Sequence, residues 1–281
     1  MVRPLIALMA LVAVPVTLAG CGGGADAGAT EGMSAQQILD QASSKTEALT
    51  SYRFGVDVKA TAEVSAGGAV GDLLRNPVDI SGEGAAKDPG DFTLDVTANL
   101  GPGPIQANIT KVGDALYLTV LGQAITLDVD PTTVASLDAT KLAPAIAGWI
   151  TNPQIVGTED VDGVQVVHIR GDVDETALAE DIGGLTDGLG AEGAVKPGAG
   201  GAAGDLETGV VDVWVGQEDM LIHRAAADVV SKDPLAAAEA VKAIDLKVSA
   251  SISDFNAPVE VTAPTGARQV SLDSIAGLLG G

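Results

Sequence analysis

Cysteine occurs once in this chain, histidine twice and aromatic residues seven times among 281 positions. Each scarcity removes a class of explanation. One thiol cannot form an internal disulfide, and it cannot build a thiolate metal site. Basic residues are also few, 15 against 38 acidic ones. Such a chain lacks the clustered Lys and Arg that displace counterions from nucleic acid. No polybasic segment is present to hold anionic headgroups by charge. Catalytic signatures are missing as well: there is no Gly-x-Ser-x-Gly elbow and no His-Glu-x-x-His pair. His168 and His223 each lie in a strand-like segment beside an arginine, Arg170 and Arg224, and read as locally bonded sheet residues. The acidic run Glu159-Asp-Val-Asp-Gly163 lacks the third acidic ligand and closing glutamate of a calcium loop, so it reads as a solvated hairpin tip. Asp128-Val-Asp130 reads as a solvated cluster. No catalytic residue, metal ligand or cofactor site is assigned, and the chain reads as a non-enzyme.

What is there begins at the N-terminus. Arg3 precedes an apolar run from Leu5 to Leu18 broken only by Pro15 and Thr17, followed by Ala19-Gly20-Cys21. A basic start, a short apolar stretch and small residues form the layout of an export signal. The stretch is too short for an ordinary spanning helix. Leu18-Ala-Gly-Cys21 resembles the lipobox of bacterial lipoproteins, which implies cleavage before Cys21 and a diacylglycerol on its sulfur, with an acyl group such as palmitate completing the anchor. Residues 1–20 are then a signal peptide, 21–33 a lipidated flexible tether rich in Gly and Ala, and the mature chain is held on the outer face of the cell membrane. Its partners would be the membrane through that anchor, and no nucleic acid.

The folded part is dominated by period-two patterning. From Tyr52 to Val64 every even position is apolar and the odd positions hold Arg53, Gly55, Asp57, Lys59, Thr61 and Glu63. Alternation of this kind places one face dry and one wet, the mark of an antiparallel strand. The same pattern runs over 92–100 and 244–252, and weaker versions cover 78–86, 105–109, 116–120, 125–129, 210–215 and 221–229. Asp162-Gly163 between 155–161 and 164–173 predicts a tight hairpin. About ten or eleven strands follow.

Helices are fewer. Ser34 with Gln37 makes a capping box ahead of Ile38, Leu39, Ala42 and Leu49, predicting a helix ending near Thr50. Residues 132–150 predict one or two short helices broken at Pro144. Residues 175–189, 234–243 and 271–279 predict three more short helices. Between Gly190 and Gly204, 11 of 15 residues are Gly or Ala, a mobile loop that lacks the context of a phosphate cradle.

Ten strands about 4.8 Å apart span nearly 50 Å, whereas a helix with side chains is about 10 Å across. Two or three helices leave part of such a face uncovered, giving an apolar concavity suited to lipid chains. Its candidate lining is Val56, Val58, Ala60, Leu94, Val96, Leu246 and Val248. The same alternation would also build an ordinary filled core, and the pattern by itself favours neither.

The order of elements is similar to the mycobacterial LppX, LprA, LprF and LprG lipoproteins. The likeness is carried by the lipobox, by Thr46-Glu-Ala-Leu-Thr-Ser51 entering the long strand and by Gly148-Trp149. It continues through Val156-Gly-Thr-Glu-Asp-Val-Asp-Gly-Val-Gln-Val-Val-His-Ile-Arg-Gly171, Val211-Asp-Val-Trp-Val215, Asp254-Phe255 and Pro258 to Pro264. The resemblance implies an α+β fold of the LolA type: a curved antiparallel half-barrel over 34–264, with a few helices on its concave face and a tail at 265–281. It further implies an envelope carrier or chaperone that holds an acylated glycolipid or phospholipid and passes it to an envelope transporter. The alternative is a closed-core adaptor, tethered to recruit another envelope protein.

Overall fold

A computed structural model of the chain describes residues 29–64, 76–99, 103–128, 142–178, 180–181, 205–232 and 241–271. Helix α1, Ala35–Glu47, starts at the expected box: the Gln37 amide donates to Ser34 Oγ at 3.3 Å, and the Ser34 amide donates to Gln37 Oε1 at 3.0 Å. Its buried stripe includes Ile38, Leu39 and Ala42. There follow β1 (Ser51–Val64), β2 (Val78–Lys87), β3 (Asp91–Asn99), β4 (Pro104–Val112), β5 (Ala115–Val120) and β6 (Gln123–Asp128). Next come α2 (Leu142–Gly148), β7 (Ile150–Val161) and β8 (Val164–Val173). A helical segment, α3, is described at 175–178 and 180–181. Strands β9 (Asp205–Gly216), β10 (Ile222–Lys232), β11 (Val241–Ser253) and β12 (Arg268–Ser271) complete the described chain.

The strands form one open sheet in the order β12-β6-β5-β4-β3-β2-β1-β11-β10-β9-β8-β7. Neighbours run antiparallel throughout, except that β12 lies parallel to β6. This is the α+β half-barrel that the sequence leads one to expect. Bulges interrupt the β9–β10 and β7–β8 pairings, and such insertions bend a strand and increase its twist.

Alternation along β1 is realised residue by residue. Tyr52 and Phe54 are buried and Val56, Val58, Ala60 and Ala62 half-buried, while Arg53, Asp57, Lys59, Thr61 and Glu63 are exposed. Cross-strand register carries this segregation over the sheet: Val58, for instance, stands between Ile80 and Val248. The β7–β8 hairpin turns at Asp162-Gly163 as expected. Both residues have positive φ, 52° and 85°, the primed turn that favours Asp-Gly.

Several elements differ from expectation. The sheet has twelve strands instead of ten or eleven. The extra strand, β12, lies within 265–281, which sequence reasoning leaves as a tail, and its Ser271 was expected in a helix. Four residues of mixed polarity are too short a window for period two to register. Pro144 does not break a helix but sits in the first turn of α2, where a missing amide proton costs nothing. Ile150, expected to end a helix, opens β7. Val241–Ala243, read as helical from their Ala-rich context, belong to β11, where Val241 pairs with Val64 of β1 and Ala243 with Glu63 of β1 and Lys232 of β10; pairing overrides local propensity. Residues 29–33 of the expected tether lie on the domain: the Ala29 amide donates to the Gln217 carbonyl at 2.8 Å, Thr30 is buried, and Met33 packs on the core. The expected loop 190–204, the helix residues at 234–240 and 272–279 and the signal 1–20 lie outside the described residues.

The core sits under the helices. α1 packs on β7, β9 and β10, and α2 packs on β9, β10 and β11. Ile38, Ile146, Val213, Val215, Ile222 and Ala225 share one fully buried cluster. One polar contact fixes this layer: Thr46, fully buried in the last turn of α1, accepts a hydrogen bond at Oγ1 from the Ile222 amide at 3.0 Å. Removing the acceptor leaves a buried donor without a partner, which costs about 1–3 kcal/mol. Thr46→Val therefore lowers the unfolding free energy in urea by that amount, while Thr46→Ser stays near the parent.

Candidate functional site

The inner face divides into two parts. Over β8–β11 it is covered by α1 and α2, and Val211, Val213, Ala225, Ala227 and Ala250 are buried. Over β1–β5 the apolar rows continue, yet most of their side chains are only half-buried. In β3 these are Leu94, Val96 and Ala98; in β4, Ala107 and Ile109; in β5, Leu118 and Val120. All seven residues expected to line a concavity are half-buried: five lie on β1 and β3, while Leu246 and Val248 lie on β11 where it adjoins β1. Val56 is level with Gly82 and Val96, Val58 with Val248, and Ala60 with Leu246. Leu94 occupies the adjacent row, level with Gly84 and Phe54.

Strand β2 shapes this face by what it omits. Its inward positions run Val78, Ile80, Gly82, Gly84 and Ala86. A Cβ on Gly84 would lie 2.6 Å from Phe54 Cζ and collide with the Thr93 carbonyl. The bare backbone lets Phe54 lie flat across β2, where its ring meets Tyr52 edge-on at 6.0 Å.

The outer face carries a polar ladder that sequence reasoning missed. In register across β8, β9 and β10 stand His168, Trp214 and Arg224. The imidazole stacks on the indole with centroids 4.7 Å apart and planes at 13°, and the Arg224 guanidinium sits 5.1 Å from the Trp214 ring centre. Trp214 Nε1 donates to Glu159, and His168 Nδ1 lies 3.3 Å from the same carboxylate. His168 Nε2 meets Asp212 Oδ1 at 2.6 Å, and Arg170 engages both Asp212 oxygens at 2.7 and 3.1 Å. Burial alone would raise the Asp212 pKa, but the hydrogen bonds and charges of Arg170 and His168 outweigh it and hold the carboxyl below its ordinary value. Asp219 is likewise lowered against its burial, by His223 and by the Leu221 amide. Both histidines are thus bonded locally. The sequence held only the His-x-Arg spacing on β8; the partners come from β7, β9 and β10.

A groove of about 1010 Å³ runs along this outer face, lined by Trp214, His223, Arg224, Phe255, three serines of β11 and six carboxylates, among them Asp57, Glu159 and Asp254. At the hairpin tip, Asp160 caps the turn by accepting from the Gly163 amide at 2.9 Å and from Gln165 at 3.3 Å. Among the described residues no group of three His, Cys, Asp or Glu side chains is placed to hold a metal ion. Cys21 and Asp130 lie outside the described residues. No helix among the described residues is long and apolar enough to cross a membrane.

The chain is similar to several solved structures. LprF from Mycobacterium bovis matches with 20% identity over 83% of this chain and 97% of that one, at a TM-score of 0.48. LppX from Mycobacterium tuberculosis matches with 18% identity over 81% and 99%, at 0.47. A LolA superfamily protein from Nitrosomonas europaea matches with 13% identity over 81% and 95%, at 0.29. No family model and no curated protein matches the chain. At these identities and TM-scores the likeness carries no argument about function.

The Asp212 cluster gives a pH signature. A carboxyl held below its unfolded value contributes stability above the ordinary range near 4, and that contribution is lost as pH falls through the depressed folded value. Asp212→Asn is accordingly less stable than the parent at pH 7, and the gap closes on titration towards pH 2. A gap that does not vary with pH would remove the ion pair as its cause.

Proposed function

We propose that this chain is an exported lipoprotein, anchored through Cys21 to the outer face of the cell membrane, whose half-barrel carries lipid acyl chains on the inner face of β1–β5 and the adjoining part of β11. The observation that carries this reading is the half-buried state of that face. Its side chains are apolar from Val56 to Ala62 and across to Leu118 and Val120, yet the helical layer described packs elsewhere. Val56, Val58, Ala60, Leu94, Val96, Leu246 and Val248 are the proposed contact residues. Each methylene moved from water onto such a surface contributes about 0.8 kcal/mol, so a long chain outweighs the cost of being immobilised. The head of a glycolipid or phospholipid and an envelope transporter to receive it complete the reading.

A second reading, the tethered adaptor, draws on the outer groove, whose carboxylates and aromatic side chains suit a basic segment of a partner protein. The two readings separate at Val58. Native mass spectrometry of protein purified from a lipid-containing host is expected to show a bound acyl lipid. Val58→Trp fills the centre of the face and reduces that bound fraction at least tenfold with the fold intact by circular dichroism. Lipid-free protein, or unchanged occupancy in the variant, counts against the carrier. In both readings Cys21→Ala moves the protein from the membrane fraction to the soluble one.

A further inference from the structure

Lys111 breaks the apolar face. At every other described inward position of β1–β5 the residue is Ala, Gly, Val, Ile, Leu, Phe or Tyr. Lys111 stands between Phe92 on β3 and Leu116 on β5, one row beyond Leu94 and Ile109. It is 5% exposed. Its ammonium donates to the Gly90 carbonyl at 2.8 Å. An ammonium has three donors; among the described residues the other two meet no acceptor, and no carboxylate forms an ion pair with it. A buried charge in apolar surroundings is costly unless it is paired and hydrogen-bonded.

The geometry points to Lys111 as the headgroup contact of an anionic lipid, a carboxylate or phosphate carried on an acyl chain; this rests on the acyl-carrier reading of the same face. The row of Lys111, which contains Tyr52, lies eight residues from the row of Ala60, roughly 26 Å at about 3.3 Å per residue. On β1 the half-buried part of that span starts at Val56, because Tyr52 and Phe54 are buried. The head then sits at the end of the sheet formed by the β2–β3 turn, and the chain runs from Leu94 towards Val58. A negatively charged protein repels anions in general, and salt screens its surface charges beyond about 10 Å. A single buried cation therefore sets the preference locally through a charge-assisted hydrogen bond.

The experiment compares hexadecanoate with hexadecanol, equal chains that differ in charge at the head, by displacement of a neutral fluorescent acyl probe from the full chain. The parent is expected to bind hexadecanoate at least tenfold more tightly. Lys111→Met loses that preference and keeps its affinity for hexadecanol, while Lys111→Arg keeps the preference. Hexadecyl phosphate follows hexadecanoate, and acetate at the same concentration does not compete. If Lys111→Met weakens both ligands equally, or neither, Lys111 is a structural residue and the inference is wrong. If acetate competes, the site takes free anions and the lipid assignment fails. If the parent binds neither ligand, the carrier reading itself falls and this inference with it.

Discussion

Everything in this molecule depends on keeping one face of a wide sheet dry. Twelve strands about 4.8 Å apart make a surface close to 58 Å across before curling, and two helices and part of a third are described against it. The sheet meets the problem unevenly. Over β8–β11 the helices seal it with Ile38, Leu39 and Ile146 against Val213, Val215 and Ile222. Over β1–β5 the same kind of apolar rows are left half-buried. Burial is concentrated in the sealed part, and the proposed acyl-chain site lies on the rest of the face.

The two parts differ in their cover more than in their side chains. The sealed rows combine Ile169, Ile222 and Ile252 with Val and Ala. The open rows combine Leu94, Ile80, Ile109 and Leu118 with Val56, Val58, Ala60 and Val96. Strand β2 thins to glycine where Phe54 crosses it. The outer face does the opposite work. Its ladder of Glu159, His168, Trp214, Arg224 and Asp212 ties four strands together on the wet side, behind the sealed core.

Much of the fold was legible because period two survives in a sheet with one dry face. Tyr52 to Val64, Phe92 to Ala98 and Ile244 to Ile252 announced both their strands and the inward side, and Ser34 with Gln37 announced the first helix. Candidate site residues could be read for the same reason: Val58 or Leu246 is identified by parity. What stayed hidden was whatever depends on register between distant strands. Nothing near His168 in sequence points to Asp212, and Thr46 gives no hint of the Ile222 amide. Lys111 was hidden by its strand. Ile105 to Ile109 shows the alternation weakly, and a lysine at its end looks like the start of a turn. Strand β12 was too short to show, and the Ala-rich entry to β11 reads as helix until its pairing partners are known.

The carrier account stands or falls on where an acyl chain lies. A photoreactive fatty acid with the diazirine midway along its chain, bound to the full-length protein and mapped by peptide mass spectrometry, tests this most directly. The account predicts labelling on the inward side chains of β1–β4, centred on Val56, Val58, Leu94 and Val96. Labelling confined to the outer groove around Trp214 and Phe255, or absent from the protein, would contradict it.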